Sequence, residues 1–168
     1  MDGMAETQKI SWVLEKITEK KQGLDLGCGK WKLPNSIGMD LRSNSSVDLL
    51  IDVSDEDFWM KVEHSGFPLK YDFIFSSHLL EDFILEDQIR ISKMWIKGLK
   101  DDGLFIAYVP QKGAYKGVNL NHKREFERGY IEDLFEILNL ETVLLFYENA
   151  WKDALYGILG IGRKNNGF

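Results

Sequence analysis

Short apolar runs alternate with stretches of helical periodicity along most of the chain. The runs predict seven strands, at residues 23–26, 36–40, 47–51, 71–76, 103–109, 141–147 and 156–161. Apolar positions three and four residues apart predict helices at residues 6–21, 80–99 and 130–138. A further helix is expected at residues 55–64 with Ser54 as its N-cap, and a turn at residues 101–103.

This order of elements predicts an α/β fold. Buried strands that alternate with helices are typical of a mostly parallel sheet with both faces covered. The last two predicted strands have no helical pattern between them, so we expect them to pair antiparallel. A ligand crevice is expected at the carboxyl ends of the parallel strands.

Composition limits the class of protein. The chain has 168 residues, 44% of them hydrophobic, and no low-complexity linker, which fits one domain spanning residues 1–168. No apolar run approaches the ~20 residues of a membrane helix, and the N-terminus lacks the layout of a signal peptide. The single cysteine, Cys28, cannot form an internal disulfide, so a cytoplasmic location is the default expectation.

The net charge of −6 disfavours a nucleic-acid partner, because proteins that bind nucleic acid broadly are usually basic. The sequence also lacks several catalytic signatures: the Asn-Pro-Pro-Tyr type of motif after the fourth strand, a Pro-Cys pair and the Gly-Lys-Ser/Thr of a phosphate-binding loop. No clear set of metal ligands emerges, so no metal is expected.

Glycine and aspartate residues follow the first two predicted strands. Gly27 and Gly29 allow a sharp turn and a close approach to a ligand. Asp25 precedes them and can order the loop or reach a ligand's ammonium group through water. Asp40 ends the second strand and can accept hydrogen bonds from both hydroxyls of a ribose. Only 15 positions separate Asp25 from Asp40, against the ~20 typical of a dinucleotide motif, so a loop or single turn is expected between the strands.

Three segments resemble class I S-adenosylmethionine (SAM)-dependent methyltransferases. LDLGCGKWKLPNSIGMDL resembles their first motif and second strand, YDFIFSSHLLEDF the segment around their fourth strand, and LKDDGLFIAYVP their fifth strand. The segments occur in the family's order and together span about half of the chain, residues 23–110. The resemblance is greatest to a compact bacterial and phage subgroup with a shortened first loop.

The resemblance implies a Rossmann-like, doubly wound, seven-stranded sheet, mostly parallel with an antiparallel last strand and helices on both faces. It implies SAM as cofactor, with the adenine edge near the end of the third strand and the methionine part beside the segment after the fourth. The residues implied in cofactor binding are Asp25, Gly27, Cys28, Gly29, Asp40, Leu41, Asp52, Val53, Ser76, Ser77 and His78.

Several of these residues have a simpler structural interpretation. Asp52 can cap the turn that follows its strand, and Cys28 is a small loop residue rather than an activated nucleophile. His78 and His122 are the candidate catalytic bases, although either can instead make a structural hydrogen bond. The family's second histidine in this segment is replaced here by Asp82, so if that histidine contributes to catalysis in the family, this chain uses a different mechanism or substrate.

We therefore expect methyl transfer to an oxygen or nitrogen of a small-molecule or glycan-like acceptor. A basic stretch after the fifth strand is either a solvated loop or a site for an anionic acceptor; it comprises Lys112, Lys116, Lys123, Arg124 and Arg128. The site is either open or completed by a partner chain, such as the second copy in a homodimer. The main alternative is a non-catalytic SAM-fold scaffolding subunit. An NAD-linked dehydrogenase fits the glycines but not the segment after the fourth strand.

Overall fold

The computed structural model describes residues 10–112, 123, 126–127, 129–147 and 157–165. The helices are α1 (Ser11–Thr18), α2 (Phe58–His64), α3 (Leu85–Trp95) and α4 (Tyr130–Ile137). The strands are β1 (Gly23–Leu26), β2 (Ser36–Asp40), β3 (Leu49–Leu50), β4 (Tyr71–Ser77), β5 (Leu99–Pro110), β6 (Leu140–Tyr147) and β7 (Gly157–Lys164). None of these helices is long and apolar enough to cross a membrane.

The strands form one seven-stranded sheet in the order β3-β2-β1-β4-β5-β7-β6. Neighbouring strands from β3 to β5 are parallel, whereas β7 runs antiparallel to both β5 and β6. This confirms the predicted fold class and the antiparallel pairing of the last two strands. β2 and β3 lie on one side of β1, whereas β4 and β5 lie on its other side. In such folds a crevice is expected at this change of side, between β1 and β4.

The helices cover the two faces of the sheet unequally. Phe58 of α2, Trp95 of α3 and Phe135 of α4 are fully buried in the apolar core on one face. On the other face, Leu14 of α1 and Ile10, the residue just before α1, belong to a smaller core. The connection between β1 and β2, residues 27–35, contains turns but no helix. The second face therefore depends on one helix and on loop residues within the described part of the chain.

Three predicted helices have different boundaries in the structure. The helix expected at residues 6–21 ends at Thr18 within the described residues. The helix expected at residues 55–64 begins at Phe58, and Ser54 is not its N-cap, because its hydroxyl donates to Asp52 Oδ1 instead. The helix expected at residues 80–99 is divided into a 3-10 turn (Leu80–Asp82), α3 and a second 3-10 turn (Ile96–Gly98). Phe83 separates the first turn from α3 in an extended conformation, with ψ of 151°.

Two strand predictions also need correction. The third strand is only Leu49–Leu50 rather than residues 47–51. The turn expected at residues 101–103 lies inside β5, which begins at Leu99. The pairing register with β4 shifts at this point, and Asp102 has a φ of 60°, so the turn is accommodated as an irregularity in the strand.

Candidate functional site

A cavity of about 570 Å³ opens at the carboxyl ends of β1, β2 and β4. Its volume lies within the roughly 300–1,000 Å³ typical of small-molecule sites. Three segments form most of its wall: the loop after β1, the loop after β2 and the segment after β4. The lining residues are Gly27, Gly29, Lys30, Asp40, Leu41, Arg42, Ser43, Asn44, Ile51, Asp52, Val53, His78, Leu79, Asp82 and Phe83.

The glycines of the first loop have backbone conformations that disfavour a side chain. Gly27 has a φ of 69° and Gly29 a φ of 56°. The Gly27 amide donates to the Met39 carbonyl at 2.8 Å, which ties the loop to β2. A Cβ at Gly29 would have no atom within 4 Å, so this side of the residue is open space. The loop can therefore bring its backbone directly against a ligand.

Asp25 lies beneath this loop rather than in the cavity wall. Its side chain is buried, and Oδ2 accepts a hydrogen bond from the Leu33 amide at 2.7 Å. Burial raises the pKa of this carboxyl to about 7, although the Leu33 hydrogen bond and the charge of Lys32 act in the opposite direction. Of the two roles open to it from the sequence, the described contacts support ordering of the loop.

The carboxylates at the ends of β2 and β3 have different local partners. Asp40 Oδ2 accepts the Gly29 amide and Oδ1 accepts the Arg42 amide, each at 2.9 Å. Each of its oxygens keeps capacity for a further hydrogen bond. Asp52 Oδ1 accepts both the amide and the hydroxyl of Ser54, which is the turn-capping arrangement weighed from the sequence. Both aspartates nevertheless line the cavity.

Polar contacts join the loop after β1 to the loop after β2, and Cys28 lies beside these contacts. The Ser46 hydroxyl donates to the Lys30 carbonyl at 2.8 Å, and Lys32 pairs with Asp48 at 2.6 Å. The Cys28 thiol lies 3.7 Å from the Ser46 carbonyl. Burial raises its pKa to about 12, so Cys28 is a poor nucleophile at neutral pH.

The segment after β4 brings one histidine to the cavity. His78 has a φ of 49°, unusual for a residue with a side chain, and its amide donates to the Tyr108 carbonyl at 2.8 Å. Its ring packs edge-on against the Tyr108 ring, with centroids 5.0 Å apart. His78 Nδ1 lies 3.3 Å from Oε1 of Glu81, which is fully buried.

The structure brings together most of the candidate residues, but not all. Those that line the cavity are Gly27, Gly29, Asp40, Leu41, Asp52, Val53 and His78. Those that do not line it are Asp25, Cys28, Ser76 and Ser77. His122 lies outside the described residues. Within the described ranges, no group of three or more His, Cys, Asp or Glu side chains is arranged to hold a metal ion.

Sequence reasoning missed several lining residues. The predicted helix at residues 80–99 includes Asp82 and Phe83, and the prediction assigns no role to the residues after Leu41. The only available signal was position, since residues that directly follow a strand of a parallel sheet lie at the crevice. The missed residues of the second loop are Arg42, Ser43 and Asn44.

The basic stretch is described only in part. Lys112 Nζ pairs with Glu127 Oε1 at 2.7 Å, and both side chains are exposed. The Lys123 amide donates to the Glu81 carbonyl at 2.7 Å, which places Lys123 beside the segment after β4. The remaining basic residues lie outside the described part of the chain; they are Lys116, Arg124 and Arg128.

The strand order, the antiparallel β7 and the position of the cavity define the Rossmann-like class I methyltransferase fold, as comparison with solved structures shows. The Burkholderia thailandensis 1,6-didemethyltoxoflavin-N1-methyltransferase, solved with 1,6-didemethyltoxoflavin and S-adenosylhomocysteine (SAH), superposes with a TM-score of 0.75 at 16% identity. The match covers 98% of this chain and 80% of that one.

Two further structures have the same fold. The N-methyltransferase NodS from Bradyrhizobium japonicum, in complex with SAH, gives a TM-score of 0.66 at 12% identity, with 99% of this chain and 90% of that chain covered. A SAM-dependent methyltransferase from Archaeoglobus fulgidus gives 0.64 at 12% identity, with 94% of each chain covered. No protein-family model and no curated protein sequence matches the chain significantly.

Proposed function

We propose that this protein is a SAM-dependent methyltransferase that acts on an oxygen or nitrogen of a small-molecule or glycan-like acceptor. The observation that carries the proposal is the cavity at the carboxyl ends of β1, β2 and β4, with two glycines and Asp40 in its wall. The fold supports it, because it superposes on that of a solved SAM-dependent methyltransferase from Archaeoglobus fulgidus with a TM-score of 0.64.

The residues of the cavity fit this cofactor. Asp40 offers carboxylate oxygens that can accept the ribose hydroxyls, while Gly27 and Gly29 let the backbone approach closely. Asp52 and the partly apolar wall around Val53 are the proposed surroundings of the adenine. When bound, SAM supplies a methyl group already activated by the positive charge of its sulfonium. The chain therefore has to hold donor and acceptor in line and exclude water.

The proposed acceptor end is the segment after β4. Leu79 and Phe83 supply apolar surface there, and His78 and Asp82 supply polar groups. A small acceptor with an apolar body and one reactive heteroatom fits this lining. The toxoflavin-type substrate of the Burkholderia thailandensis enzyme is of this size class. Lys123, whose amide donates to the Glu81 carbonyl in this segment, supports an anionic group on the acceptor.

Calorimetric titration with SAM and with SAH tests the proposal. We expect micromolar binding of both ligands by the wild-type protein and a severe loss of affinity in Asp40→Ala. Asp72→Asn is the matched control, because Asp72 lies near the amino end of β4, opposite the end that forms the cavity, and its carboxylate likewise accepts a backbone amide, that of Gln22. Asp72→Asn should bind both ligands like the wild type.

The outcomes separate the two leading functions. Binding of SAM followed by methyl transfer to any member of an acceptor screen supports the enzyme. Failure of the folded wild-type protein to bind either ligand contradicts the proposal and favours the scaffolding subunit. Sedimentation of the SAM-bound protein tests whether a second copy completes the site.

A further inference from the structure

A second cavity, of about 610 Å³, lies on the α1 face of the sheet, away from the proposed cofactor cavity. Its lining includes Leu104, near the amino end of β5, and Arg163, near the carboxyl end of β7. These two residues pair across the strands, because β7 runs antiparallel to β5. The second cavity therefore lies at the opposite edge of the sheet, and among the described residues it shares no lining residue with the first.

The floor of the second cavity is apolar and spans three strands. Leu104 of β5 and Ile161 of β7 are buried and belong to the smaller core beneath α1. Leu144 of β6 pairs with Ile161 but is 37% exposed, so the apolar surface continues to the sheet edge and meets solvent there. Adjacent strands lie about 4.8 Å apart, so this floor is roughly 10 Å wide, about the length of a chain of eight carbons.

Helix α1 forms one wall of the second cavity without covering its floor. Ile17 lines the cavity and packs against the smaller core, and the helix ends one residue later, at Thr18. On the opposite face of β7, Ile131 and Phe135 of α4 lie directly over Gly160. The described residues thus cover β7 closely on the α4 face and leave apolar surface open on the α1 face. Open apolar surface of this kind is typical of ligand and partner sites.

Two cationic side chains line the second cavity beside this apolar floor. Lys21 Nζ donates to the Ile17 carbonyl at 2.8 Å, and an ammonium group has two further N–H donors. Arg163 Nη1 lies 3.8 Å from Glu141 Oε2, and an exposed pair at this distance contributes little. Among the described lining residues, Asp102 is the only acidic one. Two cations and one carboxylate leave an excess of positive charge, which favours an anion over a cation.

We propose that the second cavity is a ligand site for a small carboxylic acid with an unbranched apolar chain of about eight carbons. The guanidinium of Arg163 can hold a carboxylate through two parallel hydrogen bonds, which are stronger than bonds between neutral groups. The chain of the acid lies across Leu104, Ile161 and Leu144. An apolar cavity of this volume with a few polar groups is typical of small-molecule sites. This site is additional to the proposed methyl transfer and does not depend on it.

Calorimetric titration with octanoate, octylamine and 1-octanol tests the proposal, because these probes share a chain length and differ in the charge of the end group. We expect octanoate to bind with a dissociation constant below about 1 mM, and about tenfold or more tightly than the other two probes. Arg163→Gln and Lys21→Gln should each weaken octanoate binding, the first by about tenfold or more. Lys16→Gln is the matched control, since it removes a positive charge from the exposed side of α1, outside the cavity, and should bind octanoate like the wild type.

Three results would overturn the proposal: no saturable binding of octanoate, equal affinity for octylamine or 1-octanol, or unchanged octanoate affinity in folded Arg163→Gln. Repeating the titration with saturating SAH locates the site. Octanoate affinity should not change, whereas loss of binding would place the acid in the proposed cofactor cavity and contradict the proposal. Failure of SAH itself to bind contradicts the proposed function alone, because the two cavities share no described lining residue.

Discussion

Replacing Asp25 by asparagine should change how the stability of the protein depends on pH. Asp25 is 1% exposed, and its Oδ2 accepts a hydrogen bond from the Leu33 amide at 2.7 Å. Burial raises its pKa from 3.8 to about 7. An asparagine at this position can still accept the Leu33 hydrogen bond through its amide oxygen, but it does not titrate.

The sign follows from comparing the folded and unfolded chains. Below about pH 4 the carboxyl is protonated in both states, and its ionisation does not affect stability. Between about pH 4 and pH 7 the unfolded chain loses this proton while the folded protein keeps it, so stability falls as the pH rises. Above about pH 7 the carboxyl is ionised in both states, and the folded protein bears the full cost of burying its charge. A rise in pKa from 3.8 to about 7 corresponds to about 4 kcal/mol.

Urea unfolding of both proteins from about pH 4 to about pH 8 measures the effect. The free energy of unfolding of Asp25→Asn minus that of the wild type should increase by a few kcal/mol over this range. Groups that titrate identically in both proteins cancel in this difference. The comparison therefore does not depend on whether the buried asparagine amide is itself fully hydrogen-bonded at any single pH.

Asp72→Asn is the control of opposite sign. The Gln22 amide and Lys100 lower the pKa of the partly exposed Asp72, so its contribution is present at neutral pH and is lost as the pH falls. This variant should be destabilised at neutral pH and approach the wild type in acid. A gap between wild type and Asp25→Asn that stays constant with pH would refute the reasoning, since the buried carboxyl would then ionise as in the unfolded chain.

Three further predictions concern the loops and core beside the cavity. Gly38→Ala would place a Cβ 2.4 Å from the Ser46 carbonyl oxygen, so we expect a loss of about 1–3 kcal/mol in urea unfolding. Trp95→Phe removes the 2.7 Å hydrogen bond to the Val53 carbonyl and should lower stability by about 1–3 kcal/mol, measured by thermal unfolding; an unchanged midpoint would contradict this. Cys28 should react with iodoacetamide far more slowly in the folded protein than in urea, because burial raises its thiol pKa to about 12.

The strands were easier to predict than the helices. The first two strands begin and end where the sequence indicated, because short buried apolar runs there are bounded by turn residues. The sequence after β4 has the periodicity of one continuous helix, but the structure does not form one there. Gln88 binds the carbonyls of Leu80 and Phe83, which holds a 3-10 turn in place of the expected first helical turn. The hydrogen-bond partners of Gln88 are set by the fold, so the pattern of apolar positions in the sequence does not reveal them.

The candidate site was predictable where strand ends define it. Gly27, Gly29 and Asp40 lie in the cavity wall because adjacent parallel strands end at one edge of the sheet. That the residues after Leu41 line the cavity was not predictable, because a loop without periodicity does not indicate which way its side chains point. The burial of Glu81 was equally hidden, because an acidic residue in a turn is usually solvated.

The cavity combines a rigid floor with an adjustable wall. Its floor is the carboxyl end of a buried parallel sheet, whereas the two loops that wall it, residues 27–35 and 41–48, contain no helix. These loops are joined by the partly exposed Lys32–Asp48 pair and the Ser46 hydrogen bond, each of which contributes little in water. Both loops also pack closely against Gly38, where a Cβ would lie 2.4 Å from the Ser46 carbonyl oxygen. Segments held this way open at lower free energy than the sheet, so the loops can close on a ligand while the strand ends that carry Asp40 and His78 stay fixed.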